Sequence, residues 1–143
     1  MIMFEPVLVA RRHAELLFIG AHSDDIEIGC GGTVLQLARR YPHACMHWVV
    51  VGARGDRAVE ARRAARALRG TGRRGQVFIL DFRDGYFPSQ SETIKDFFES
   101  LKRQVNPDII FTHQRDDLHQ DHRVVSELTW NTFRDHAILE YEI

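Results

Sequence analysis

The sequence is poor in the features that mark several protein classes. Only two cysteines occur among 143 residues, Cys30 and Cys45, and neither has a CxxC partner. That is too few for a disulfide framework, and both are expected to serve as small buried hydrophobes, Cys30 in a glycine-rich turn and Cys45 at the start of a strand. No stretch approaches the roughly 20 consecutive apolar residues that span a bilayer. The apolar start, Met1 to Ala10, is broken by Glu5 and Pro6. It lacks the basic leader and long apolar run of an export signal, so a cytoplasmic location is expected. Repeats, low-complexity tracts and interdomain linkers are missing too. Excess charge is also lacking: the formal net charge is -1. Nothing in that total draws the chain to nucleic acid or to an anionic membrane, and the arginines, interleaved with Glu and Asp, read as a solvated mixed surface.

What is present is an ordinary globular composition, 44% hydrophobic and 27% charged, at a length that suits a single domain over residues 1–143. Short apolar runs alternate with helix-patterned stretches. LLFIGA (16–21), MHWVVV (46–51), VFIL (77–80) and DIIFT (108–112) read as buried strands, and AILEYEI (137–143) as a fifth. Between them, Thr33 leads into a helix that Pro42 stops; further helices are expected over 57–68, 92–105 and 121–133. Strand–helix alternation with strands this apolar predicts an α/β fold: a Rossmann-like, doubly wound, mainly parallel sheet with helices on both faces. Ile138, Leu139, Tyr141 and Ile143 on a terminal strand have no visible cover in the sequence. A second copy of the chain, a homo-oligomer, is therefore one expected partner.

Ligands of open α/β sheets bind beyond the carboxyl ends of the strands. Two polar clusters fall there. His22, Asp24 and Asp25 follow the first strand; His113, Asp116, Asp117, His119, Asp121 and His122 follow the fourth. First and fourth strands are neighbours at the switch point of many such sheets, which sets the clusters across one crevice. Imidazole and carboxylate are zinc donors, and a catalytic zinc takes three protein ligands and leaves a place for water. His119 and His122, three apart, share a helical face. Scattered histidines at strand ends are usually structural, and His43, His47 and His136 are read so. Gly29-Cys30-Gly31-Gly32 invites a phosphate-binding reading, but the spacing is not GxGxxG and two adjacent carboxylates would repel a pyrophosphate.

These motifs carry a resemblance. AHSDDIEIGCGGT is similar to the AHPDD-x-x-x-G-x-G-G signature of the PIG-L/LmbE-like zinc-dependent N-deacetylases, and THQRDDLHQDHRVV to their H-x-D-H signature. RGDRAVEARRAARALRG resembles the family's second helix and DFRDG its loop after the third strand. The resemblance implies zinc, or another divalent metal, held by His22, Asp25 and His122. It implies Asp24 as general base, His119 as the imidazole that stabilises the oxyanion, and Asp121 as the carboxylate beside it, favouring its charged form. Asp84 and Arg57 fall where the family contacts substrate. The implied substrate is an N-acetylated amino sugar or glycoconjugate, deacylated by zinc-activated water. Ser23 stands where proline is usual and Ile26 where Glu is frequent. Family domains also run past residue 143. That leaves a rival expectation, a metal-containing module of the same fold that binds a glycan or protein partner without turnover, and a further one in which a different amide is cut.

Overall fold

The computed structural model describes residues 13–143; the Met1–Ala10 stretch discussed above lies outside the described residues. Five strands, β1 (Glu15–His22), β2 (Cys45–Gly52), β3 (Val77–Ile79), β4 (Ile109–His113) and β5 (Ala137–Tyr141), form one sheet in the order β3-β2-β1-β4-β5. Every neighbouring pair is parallel. Four α-helices connect them: α1 (Asp25–Arg40), α2 (Asp56–Arg69), α3 (Ser91–Lys102) and α4 (Gln120–Thr132).

The strands need cover on both faces because side chains alternate along them and nearly all are apolar. In β1, seven of eight residues are buried. Leu16 and Phe18 point to one face, where they meet Ile26 and Val34 of α1 and Ala61 and Ala65 of α2. Leu17, Ile19 and Ala21 point to the other, against Ile94, Phe98 and Leu101 of α3 and Val125 and Leu128 of α4. Phe18 stacks on Phe111 with ring centroids 4.7 Å apart, which ties β1 to β4. Each such fully buried side chain contributes about 1.5–3 kcal/mol.

The chain winds outward from β1 through β2 to β3, then returns to place β4 on the far side of β1. The order reverses between β1 and β4, so a crevice opens beyond their carboxyl ends. His22 and His113, the last residues of these two strands, border it.

Three expectations need correction. The glycine-rich stretch is not a turn: α1 starts at Asp25 and continues through it, with non-helical dihedrals only at Cys30 (φ -144°, ψ 18°). Three glycines flank that residue, and weak helix formers are where kinks settle. Second, Cys45 is only half-buried. Third, the terminal strand is partly covered from within. Tyr141 is buried and its hydroxyl donates to the Ile19 carbonyl at 2.7 Å. Its ring lies against Gly29 so closely that a β-carbon there would stand 2.2 Å from it. Gly29 thus serves α1 by leaving room for β5; Ile143 remains exposed.

Candidate metal centre

The crevice is built by two helix starts. After β1 the chain turns through Ser23 and Asp24, and the His22 backbone N–H donates to Asp25 Oδ2 at 2.7 Å, folding that carboxylate back over the strand end. From the β4 side, α4 brings His122 in its first turn. The outcome is a triangle: His22 Nδ1 to His122 Nε2 is 3.3 Å, His22 Nδ1 to Asp25 Oδ2 3.5 Å, and His122 Nε2 to Asp25 Oδ2 3.5 Å. All three residues are buried. Zinc bonds of about 2.0–2.1 Å at the tetrahedral angle place neighbouring donor atoms about 3.4 Å apart. The triangle has those edges, so the donor set fits a divalent cation in both chemistry and spacing.

Electrostatics agree. Burial opposes the charged carboxylate of Asp25, but hydrogen bonds to His113 and His22 outweigh it and hold its pKa well below the usual carboxylate range. Burial likewise opposes a charged His22, yet Asp25, Asp121 and Asp84 outweigh it and push its pKa up to about 9. Without a metal, a proton is the cation this cluster gathers.

Each corner of the triangle is braced from behind. His22 Nε2 lies 3.1 Å from Asp121 Oδ2, His122 Nδ1 3.0 Å from Asp117 Oδ2, and Asp25 Oδ2 3.1 Å from His113 Nε2. Such outer partners fix ring orientation and tautomer in metal sites. His113 is fully buried with its ring stacked on His122 at 3.9 Å, and burial, outweighing the pull of Asp25, lowers its pKa. His113 and Asp117 are part of the polar cluster in the sequence, and the folded chain sets them directly behind Asp25 and His122. His113, Asp117 and His122 also form a group with donor atoms within 4.8 Å of one another, as do His22, Asp84, His119 and Asp121. In both groups the short contacts pair an imidazole with a carboxylate. The His22–Asp25–His122 triangle alone of the three sets two imidazole nitrogens against each other.

The remaining candidates lie on the rim. Asp24 is exposed, caps α1 by position and makes no side-chain capping bond. His119 is exposed and caps α4, its Nδ1 accepting the Asp121 backbone N–H at 3.1 Å. With Nδ1 so occupied, Nε2 is the ring nitrogen left to donate. Asp121 meets His119 through its backbone, while its carboxylate, 0% exposed, takes His22 Nε2 and the backbone N–H groups of Gly85 (2.6 Å) and Phe87 (3.1 Å). Gly85, at φ 80°, lets the loop after β3 present those N–H groups. Nothing in the sequence pattern marks the link from that loop to Asp121. Asp84 Oδ1 stands 3.2 Å from His22 Nε2, and its Oδ2 is 3.7 Å from Arg57 in an exposed pair.

Fold and site together define an α/β protein with a candidate divalent-metal centre at the switch point of its sheet. The chain belongs to the PIG-L family, described as GlcNAc-PI de-N-acetylase, whose model matches residues 17–133. It is 31% identical over 144 residues to the uncharacterized deacetylase YaiS of Escherichia coli (strain K12), an alignment covering 93% of this chain and 76% of YaiS. Among solved structures it resembles the N,N'-diacetylchitobiose deacetylase of Pyrococcus horikoshii (TM-score 0.60, 24% identity, 82% of this chain and 48% of that one). It also resembles the 4-carboxy-2-hydroxymuconate hydratase GalB of Pseudomonas putida KT2440 (TM-score 0.66, 22% identity, 83% of this chain and 55% of that one). At these identities the two structures show the fold, and the chain spans about half the length of each.

Proposed function

We propose that this chain, as one domain over residues 1–143, is a metal-dependent amidohydrolase that removes an N-acyl group, foremost N-acetyl, from an amino sugar or sugar conjugate. The observation that carries the reading is the triangle of His22, Asp25 and His122, with the donor-to-donor spacing of a tetrahedral site, in a member of a de-N-acetylase family.

Zinc held by these three residues would acidify water and polarise the amide carbonyl. The chain's own groups handle the protons. Asp24, next to a ligand and free of capping duty, takes the proton of the attacking water and returns one to the leaving amine. His119 donates from Nε2 to the oxygen that gains negative charge. Asp121 is a positioning residue: it holds His22 so that Nδ1 faces inward. Asp84 and Arg57, exposed beside the crevice, meet sugar hydroxyls in this reading. Among the described residues no helix is long and apolar enough to cross a membrane, and a cytoplasmic enzyme is part of the proposal.

The test is acetate release from a panel of N-acetylated sugars by protein stripped of metal and then reloaded with zinc. Release by the reloaded protein, and none by the stripped one, is the expected result. If fully loaded protein releases no acetate from any N-acetylated amine, the non-catalytic glycan- or protein-binding module becomes the reading.

A further inference from the structure

The net charge of -1 hides a segregation. Between Arg39 and Arg74 the sequence holds ten arginines against two acids, Asp56 and Glu60, so this stretch carries +8 and the rest of the chain -9. The interleaving of signs assumed from composition fails over those residues. The fold brings most of them together, because α1 and α2 lie side by side on the same face of the sheet; Arg54 and Arg57 lie at the other end of α2, towards the crevice. Arg73 bonds the two ends together, donating to the carbonyls of Ala38 (2.7 Å), Tyr41 (2.8 Å) and Pro42 (2.9 Å).

Basic residues in the last turn of a helix offset its dipole, which accounts for Arg39 and Arg66. It does not account for Arg62 and Arg63, in mid-helix. Arg39, Arg62, Arg63 and Arg66 are all exposed, and among the described residues none makes an ion pair. Three aliphatic side chains lie exposed on these helices: Ile28, near the start of α1 (65%), and, further along, Leu35 of α1 (37%) and Val59 of α2 (47%). At the end of α2 a cleft of about 200 Å³ is lined by Arg62, Arg66, Arg73 and Gly72.

We infer that the outer face of α1 and α2 is a docking surface for an anionic phospholipid bilayer. Guanidinium forks match phosphate geometry, and the cleft at the end of α2 suits a headgroup. Exposed aliphatics among the arginines suit the boundary between headgroups and chains. A single-stranded nucleic acid would call for aromatic platforms, and neither α1 nor α2 contains an aromatic residue. Because both helices run antiparallel to the strands, the arginine-rich ends of α1 and α2 sit at the edge of the sheet opposite the metal centre. Docking there leaves the crevice open to solvent, so this surface is separate from the substrate site.

The experiment is co-sedimentation of the full chain with phosphatidylcholine vesicles, with and without phosphatidylserine. Binding is expected only with phosphatidylserine, and is lost at about 1 M salt, where the screening length falls to about 3 Å. Replacing Arg62, Arg63 and Arg66 together by Gln should lower partitioning on the order of a hundredfold, about fivefold per arginine. The corresponding Lys variant should keep most of it. Lys102→Gln with Arg103→Gln, on the opposite layer, should change nothing, and deacylation of a soluble substrate should be unaffected in all variants. The proposal is overturned by equal binding to neutral vesicles, by retention in the triple Gln variant, by an equal loss in the Lys102/Arg103 variant, or by tighter retention on nucleic acid than on anionic vesicles at equal phosphate. If the Gln variant fails to fold, the Lys and Lys102/Arg103 variants still decide between these outcomes.

Discussion

Both ends of the sheet hold a buried histidine beside a carboxylate, and the two sites differ in one respect. Near the start of β2, His47 donates from Nε2 to Glu15 at 2.9 Å and accepts the Gln76 N–H on Nδ1 at 3.1 Å. Cys45 Sγ lies 3.4 Å from Nε2 as well; both nitrogens are partnered, and the ring is a satisfied strut. At the end of β1, His22 directs Nε2 at carboxylates, but its Nδ1 faces Asp25 and the Nε2 of another imidazole. Three donor atoms converge there, and the cluster gathers a proton in the absence of metal. Burial and residue type are common to both sites; the convergence of three donor atoms separates the candidate cation site from the structural one.

Removing a donor at the His22 end should break this contrast most sharply. His22→Ala or His122→Ala is expected to abolish stoichiometric metal, measured by elemental analysis, and activity with it. If both variants keep full occupancy, the triangle is not the site. Next is the separation of binding from chemistry. Asp24→Asn should keep its metal and lose turnover by roughly 10² or more, the usual scale for a general base. Near-normal acetate release would remove Asp24 from that role.

Bracing is a smaller effect. Asp117→Asn should weaken metal affinity by about 10- to 100-fold in a chelator competition, as loss of an outer partner does. Unchanged affinity would mean that packing alone holds His122. The smallest effect belongs to the opposite end. Burial, helped by Arg69 and resisted by Glu15, lowers the pKa of His47. A lowered histidine favours the neutral fold, so its contribution to stability is complete above about 6.5 and is lost as pH falls through the folded value. His47→Gln should flatten the acid side of a melting-temperature profile and leave metal content untouched. A loss of metal in that variant would erase the distinction between the two ends.

The sequence was most informative where one residue type has one use. Apolar runs of β1, β2 and β4 can only be interior strands, and their order with the helices leads to the parallel sheet. His22, Asp25 and His122 were legible as candidates because the two signatures contain them, and the fold brings their donor atoms together. What could not be read are relations between distant backbone groups. The buried carboxylate of Asp121 is satisfied by N–H groups of Gly85 and Phe87, some 35 residues earlier in the chain, and nothing local announces that. The Gly29–Gly32 stretch reads as a turn by propensity, yet it runs within α1 with a kink at Cys30, and Gly29 gives Tyr141, at the other end of the chain, the room to pack. Tertiary contact overrode local preference there.

The separation of His22 and His122 by 100 residues has a consequence for biogenesis. At typical synthesis rates of about 5–20 residues per second, the first histidine waits roughly 5–20 s for the second. Until then Asp25 and His22 offer a two-donor site at most, next to a central strand that still lacks β4. On the proposed ligand set, metal capture therefore does not template the early stages of folding; it reports that β4 and α4 have already docked. A chain arrested before α4 would be metal-free however much zinc surrounds it, which makes metal content a marker of completed assembly.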